Sequence, residues 1–133
     1  MNYDIKNLPE RTAKPRQYGF TMAMDKGLSI REAEDFVSLS ANHVDIVKLG
    51  WGTSYVTPNL KAKLQVYKDA GLPVYFGGTL FEAFVIRDQF DEYRKILDKF
   101  EMSFAEVSDG SMDIDHDKKC DYITKLSEQV TVL

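Results

Sequence analysis

Cysteine is nearly absent from this chain. One residue of that type, Cys120, stands among 133, so an internal disulfide framework is excluded and a reducing compartment is expected. By itself Cys120 reads as a small residue on a helix rather than a nucleophile. A basic excess is also missing. The 17 Lys and Arg are outnumbered by 21 Asp and Glu, for a net charge of −4, which argues against nucleic acid as a partner. No apolar stretch approaches the roughly 18 residues of a membrane span. No apolar run after Met1 reads as a signal peptide. The expectation is a cytoplasmic protein with no membrane partner. Histidine is scarce, and His43 and His116 lie far from any Ser or Cys pairing that would suggest a nucleophilic triad.

What is present is ordinary globular material. The hydrophobic fraction is 44% and the charged fraction 29%, which excludes disorder as the main reading. The length suits one domain, burying roughly two-thirds of the surface of the unfolded chain. Residues 1–17 are polar, with Arg11, Lys14, Pro15 and Arg16 close together. They read as an irregular lead-in whose basic cluster is solvated, with contact to an anion as the alternative.

From residue 18 onward five short apolar runs recur: Tyr18–Met24, Val44–Leu49, Pro73–Phe76, Phe104–Val107 and Val130–Leu133. Each is bounded by Gly, Pro or charge, as strands are. Helical periodicity fills the gaps. Ser29 and Glu32 make a capping box ahead of Ile30, Ala33, Phe36 and Val37. Thr57 and Pro58 read as an N-cap and first helical residue before the stripe Leu60, Leu64, Tyr67, with Gly71 as the stop. Phe90, Tyr93, Leu97 and Phe100 mark a third helix. Ile123 and Leu126 mark a fourth, with Asp113, Asp115 and Asp117 as acids at its positive end.

The alternation predicts an α/β protein with five parallel strands joined by helical crossovers. Two architectures use this step. One is the first half of a (β/α)8 TIM barrel over residues 18–133, since a full barrel takes about 250 residues. The other is a five-stranded flavodoxin-like domain. The final apolar run reaches Leu133 with no helix after it, which favours the half barrel and a truncated chain.

In parallel α/β proteins ligands bind where strands end, and four strand ends here are rich in polar residues. Lys48 alternates with Val47 and Leu49, so it points to the barrel interior, where a lysine is costly unless it meets an anion or a neighbouring carboxylate. The turn Gly50-Trp51-Gly52-Thr53-Ser54 offers unhindered N–H groups and two hydroxyls for carboxylate or phosphate oxygens; the plainer reading is a tight turn with Trp51 as packing. Gly77-Gly78-Thr79 follows the same logic. Glu82 falls near a helix start, as a capping acid or a catalytic one. Glu106 interrupts an apolar run and stands three residues before Asp109; with Asp25 these carboxylates suit Mg²⁺, although Asp109-Gly110 is also a turn signal.

Taken together, Asp25-Lys26-Gly27-Leu28, the Lys48–Ser54 run, Gly77-Gly78-Thr79-Leu80-Phe81-Glu82 and Glu106-Val107-Ser108-Asp109-Gly110-Ser111 occur in the order and spacing of the phosphosulfolactate synthase family. The sequence resembles that family from about Tyr18 to Leu133, and Arg11–Arg16 resembles the lead-in of its bacterial and plant-type members. The resemblance implies a TIM barrel and Mg²⁺-dependent addition of sulfite to phosphoenolpyruvate, the step that opens coenzyme M biosynthesis in archaea. It also implies roles: Glu106 and Asp109, with Asp25 in reserve, for Mg²⁺; Lys48 for the substrate anion or enediolate; Gly50, Gly52, Thr53, Ser54, Gly77, Gly78 and Thr79 for substrate oxygens; Glu82 to orient Lys48 or act as an acid. The family includes plant proteins linked to heat tolerance, so a non-catalytic role is the alternative. A half barrel exposes strand edges, for which association into a homo-oligomer is the expectation.

Overall fold

The computed structural model describes residues 3–133; the first two residues of the lead-in lie outside them. Five strands form where the apolar runs were read: β1 (Met22–Asp25), β2 (Ile46–Leu49), β3 (Val74–Phe76), β4 (Phe104–Ala105) and β5 (Thr131–Val132). They are parallel and stand in the order β1-β2-β3-β4-β5. This strictly sequential order is that of a barrel wall. A flavodoxin-like sheet places its second strand outside the first, so that alternative is overturned.

Register explains which residues share a face. Asp25, Leu49, Phe76, Ala105 and Val132 lie in one row across all five strands. Val47, Leu49, Phe76 and Ala105 are buried and belong to the core that the helices complete with Ala33, Tyr67, Phe81, Tyr93, Leu97 and Leu126. Side chains alternate across a strand. The next row, Met24, Lys48 and Tyr75, therefore belongs to the other face, where Met22 and Met24 are exposed.

The helices depart from expectation at two places. Helix α1 (Ile30–Ser40) starts with the predicted capping box, Glu32 N–H donating to Ser29 Oγ and Ser29 N–H to Glu32 Oε2. Thr57 and Pro58, however, do not begin the next helix. A one-turn helix α2 (Thr53–Val56) ends there, and α3 (Leu60–Asp69) starts after Asn59 at φ +52°. The proline disfavours a helical Thr57, so the chain turns at Asn59, a residue type that tolerates the left-handed region. Gly71, at φ +68°, follows the end of α3 as expected.

The second departure lies between β3 and β4, where two helices stand in place of one: α4 (Gly78–Val85) and α5 (Phe90–Lys99). The sequence puts a helix start near Glu82, but the helix begins four residues earlier, at Gly78, a poor helix former that masks its first turn. Glu82 consequently sits in its second turn rather than near its start. Of the three acids expected at the start of helix α6 (His116–Ser127), Asp115 is the cap, its carboxylate accepting from the N–H groups of Asp117 and Lys118. Among the described residues no helix is long and apolar enough to cross a membrane.

The basic lead-in is docked through a buried Arg16 side chain, while Arg11 and Lys14 make their contacts from exposed positions. The Arg16 guanidinium, buried, pairs with Asp45 at 2.5 Å, and the second Asp45 oxygen accepts from Thr21 N–H at 2.8 Å. Arg11 donates to Thr21 Oγ1 and to the His43 carbonyl, and Lys14 to the Ala41 carbonyl. Cations thus meet carbonyls just past the negative end of α1. The segment fastens the rim where β1 and β2 begin, away from the strand ends.

Burial alone would raise the pKa of Asp45, but the Thr21 N–H and Arg16 outweigh it and hold the carboxyl below its ordinary value. A depressed folded pKa contributes stability above the unfolded value, about 4, that is lost as pH falls through the folded one. Arg16→Ala is expected to lower the urea midpoint at neutral pH and to flatten the acid limb of the stability–pH profile. Chemical unfolding between about pH 2 and 7 measures both.

Candidate functional site

Lys48 sits on β2 and Glu106 just beyond β4, yet they meet. Lys48 Nζ lies 2.8 Å from Glu106 Oε1 and 2.7 Å from Oε2. The contact crosses β3, which requires a gap there. Gly77 is that gap: a Cβ on it would stand 2.7 Å from Lys48 Cε and 3.1 Å from the Leu49 carbonyl oxygen. A Cβ on Gly78 would collide with the Ser108 side chain and lie 3.3 Å from Glu106 Oε1. The two glycines first of all give Lys48 and Ser108 room. Beyond that, the N–H groups of Gly78 and Thr79 head α4, where a helix has no internal acceptor for them.

Two tyrosines near this pair were not singled out from the sequence. Tyr75 is the register neighbour of Lys48. Burial, then the Glu106 charge, pushes its phenol up to about 12, so it stays a neutral hydroxyl. Tyr93 on α5 is fully buried, its hydroxyl has no hydrogen-bond partner among the described residues, and burial and Glu106 raise its pKa as well. Both lie in apolar patterns that read as packing, which is why nothing in the sequence flagged them.

Asp25 does not join Glu106. It faces the helices, one residue out of phase with Met24 in the Lys48 row. Its Oδ2 meets Lys63 Nζ at 2.7 Å and the Tyr67 hydroxyl at 2.8 Å; its Oδ1 accepts from Gly27 and Leu28 N–H, both at 2.8 Å. Burial pushes its pKa up, but Lys63, Tyr67 and the two N–H groups prevail and hold it below the ordinary value. Lys63 is fully buried. A signal for it existed: Lys63 falls on the apolar stripe of Leu60, Leu64 and Tyr67, where a lysine must find a buried anion.

Asp109 also lies apart. Its half-exposed carboxylate bonds Lys119 at 2.7 Å, and that contact holds its pKa down. Among the described residues no three of His, Cys, Asp or Glu come together as a metal would need. Asp25 is saturated, Glu106 is taken by Lys48, and Asp109 by Lys119. The expected Mg²⁺ trio, as these residues stand, does not fit a bound cation.

The turn after β2 forms a 3-10 segment at Gly50–Gly52 leading into α2. Gly50 is packed, since a Cβ would stand 2.8 Å from Met24 Sδ. Trp51 at φ +51° and Gly52 at φ +68° are both left-handed, a strained setting for tryptophan. The Thr53 hydroxyl donates to the Gly50 carbonyl at 2.8 Å, while Ser54 Oγ is buried with no partner among the described residues. Trp51 is 61% exposed, with Lys26 Nζ 4.7 Å above its ring. Glu82 is buried on α4 and accepts four hydrogen bonds from the segment after β4, as detailed below.

Residues 9–133 match a protein family described as (2R)-phospho-3-sulfolactate synthase. The chain is 33% identical, over its whole length, to a phosphosulfolactate synthase of Bacillus subtilis, of which it covers 53%. Enzymes of that name from Methanocaldococcus jannaschii and Methanothermobacter thermautotrophicus are 39% and 35% identical over 84% of this chain, which covers 45% and 44% of them. The chain spans about half the length of these curated relatives.

Removing one partner of a buried ion pair strands the other, at a cost of about 3–5 kcal/mol. Asp25→Asn is expected to destabilise the protein by that order in urea unfolding. Adding Lys63→Met to it should recover most of the loss, since no uncompensated charge then remains.

Proposed function

The chain belongs to the phosphosulfolactate synthase family, and from that premise we propose that the Lys48–Glu106 rim binds phosphoenolpyruvate and prepares it for addition of sulfite. The observation that carries this reading is the ammonium of Lys48, held on the open face of the sheet at the strand ends and oriented in advance by a carboxylate. A small, multiply charged anion is the ligand such a group suits.

The chemistry asks for charge stabilisation more than for a base. The sulfite lone pair forms a carbon–sulfur bond at the methylene carbon of phosphoenolpyruvate. The π electrons of the double bond move toward the carboxylate, giving an enediolate. A proton then reaches the adjacent carbon and completes phosphosulfolactate. A fixed cation beside the developing enediolate lowers that barrier, because its orientation is already paid for. Lys48 takes this role, and Glu106 orients it. The free N–H groups of Gly78 and Thr79 and the unpartnered hydroxyl of Ser54, with the backbone of Gly50 and Gly52, are assigned to substrate oxygens; the Thr53 hydroxyl and the Gly77 N–H already donate to the Gly50 and Leu49 carbonyls and shape the site instead. Mg²⁺ enters none of these steps, because the carboxylates expected for it are engaged elsewhere.

Trp51 is the one tryptophan of the chain and stands at this rim, so its fluorescence reports binding. Phosphoenolpyruvate titrated into the chain with a chelator present is expected to change that signal. Lys48→Met should weaken binding about tenfold or more, the loss of one charge-assisted contact. Glu106→Gln should weaken it several-fold, because the ammonium loses the carboxylate that fixes its position before the anion arrives. An unmodified chain with no response to phosphoenolpyruvate, or a Lys48→Met variant that binds as well as the original, would sink the reading.

A further inference from the structure

We propose that Glu82 is a positioning residue: it latches the segment after β4 and thereby sets Glu106 against Lys48. The proposal rests on the reading of the Lys48–Glu106 rim as the anion site, and adds to it a residue that touches neither ligand nor ammonium.

The latch is visible in the donors. Glu82 Oε1 accepts from the Ser108 hydroxyl and from Gly110 N–H at 2.9 Å; Oε2 accepts from the Ser111 hydroxyl and from Ser111 N–H at 3.1 Å. All four come from one short segment, 108–111. A carboxylate has about four acceptor positions, so Glu82 is saturated. Burial pushes its pKa up, but the Ser108 and Ser111 hydroxyls and the two N–H groups hold it below the ordinary value. A saturated, ionised carboxylate is neither a proton donor nor a metal ligand.

The path to Lys48 is short. Gly78 lies one turn before Glu82 on the same face of α4, and its missing side chain is where Ser108 packs. Helix α4 therefore presents a bare patch and, one turn on, an anion. Between Ser108 and Glu106 stands only Val107, itself buried. The 106–108 stretch is thus held at one end by Glu82 and at the other by Lys48, with Glu106 Oε1 close above Gly78. Release of the first end frees the second.

Glu82→Gln is the stringent test, because an isosteric amide turns donors toward the donors of Ser108, Gly110 and Ser111. Three measurements on the chain apply: amide hydrogen exchange at Gly110 and Ser111, the carboxyl ¹³C shift of Glu106, and phosphoenolpyruvate affinity through Trp51. The expected result is exchange about tenfold faster at those two amides and a Glu106 shift moved toward its value in Lys48→Met. Phosphoenolpyruvate affinity should fall about tenfold, with exchange in α5 unchanged. Glu82→Asp, which keeps the charge, should recover part of each. Affinity lost with Gly110 and Ser111 still protected would mean that Glu82 meets the ligand directly and would overturn the proposal. So would an unchanged Glu106 shift. If Glu82→Gln does not fold, Ser111→Ala removes one donor without touching α4 and should move the same readouts less far; no movement overturns the latch. A chain that never responds to phosphoenolpyruvate defeats the proposed function alone, because the exchange and carboxyl readouts still decide the latch.

Discussion

One ion pair organises this molecule: the ammonium of Lys48 reaching over a strand to the carboxylate of Glu106. A charge on the inner face of a sheet is tolerated only when it is paired. These partners are two strands apart, so the strand between must be bare where the lysine crosses. Gly77 supplies that, and Gly78 continues the bare surface into α4, where the chain after β4 packs. The double glycine is a steric consequence of the pair before it is anything else.

A second pair, Asp25 with Lys63, is buried on the opposite face of the same sheet. The two have different characters. Lys48 and Glu106 keep partial access to solvent; Lys63 and Asp25 have almost none. Asp25 spends its four hydrogen bonds on α3 and on the turn Gly27–Leu28, so it builds the rim. Glu82 does the same for the segment after β4. Two carboxylates that look like candidate chemistry are therefore framework, and the framework leaves one oriented lysine on the open face. Lys48 itself sits on β2, so its position is fixed by the sheet and not by a loop.

At the other rim the basic lead-in fastens the starts of β1 and β2 through Asp45. Its cations meet the carbonyls of Ala41 and His43, just past the end of α1, and one buried carboxylate. The left-handed Trp51 and Gly52 stand at the opposite rim, beyond the end of β2. A left-handed tryptophan is a costly conformation, held here by the packed Gly50 before it and by α2 after it.

The strands, the capping box of α1, the acidic start of α6 and the inward phase of Lys48 were legible in the sequence, because each depends on spacing within one segment. Lys48 and Glu106 also stood out in the sequence as charges inside apolar runs, and the structure pairs them. The first turn of α4 was masked by its leading glycines, and the start of α3 by a proline that the chain evades through Asn59. What the tertiary structure alone decided is who meets whom. Adjacent strand residues point to opposite faces, so Asp25 fell to the helix side and Lys63. Glu82 found its donors 26 to 29 residues away. Pairing over such distances is set by sheet order and packing, which local pattern does not encode.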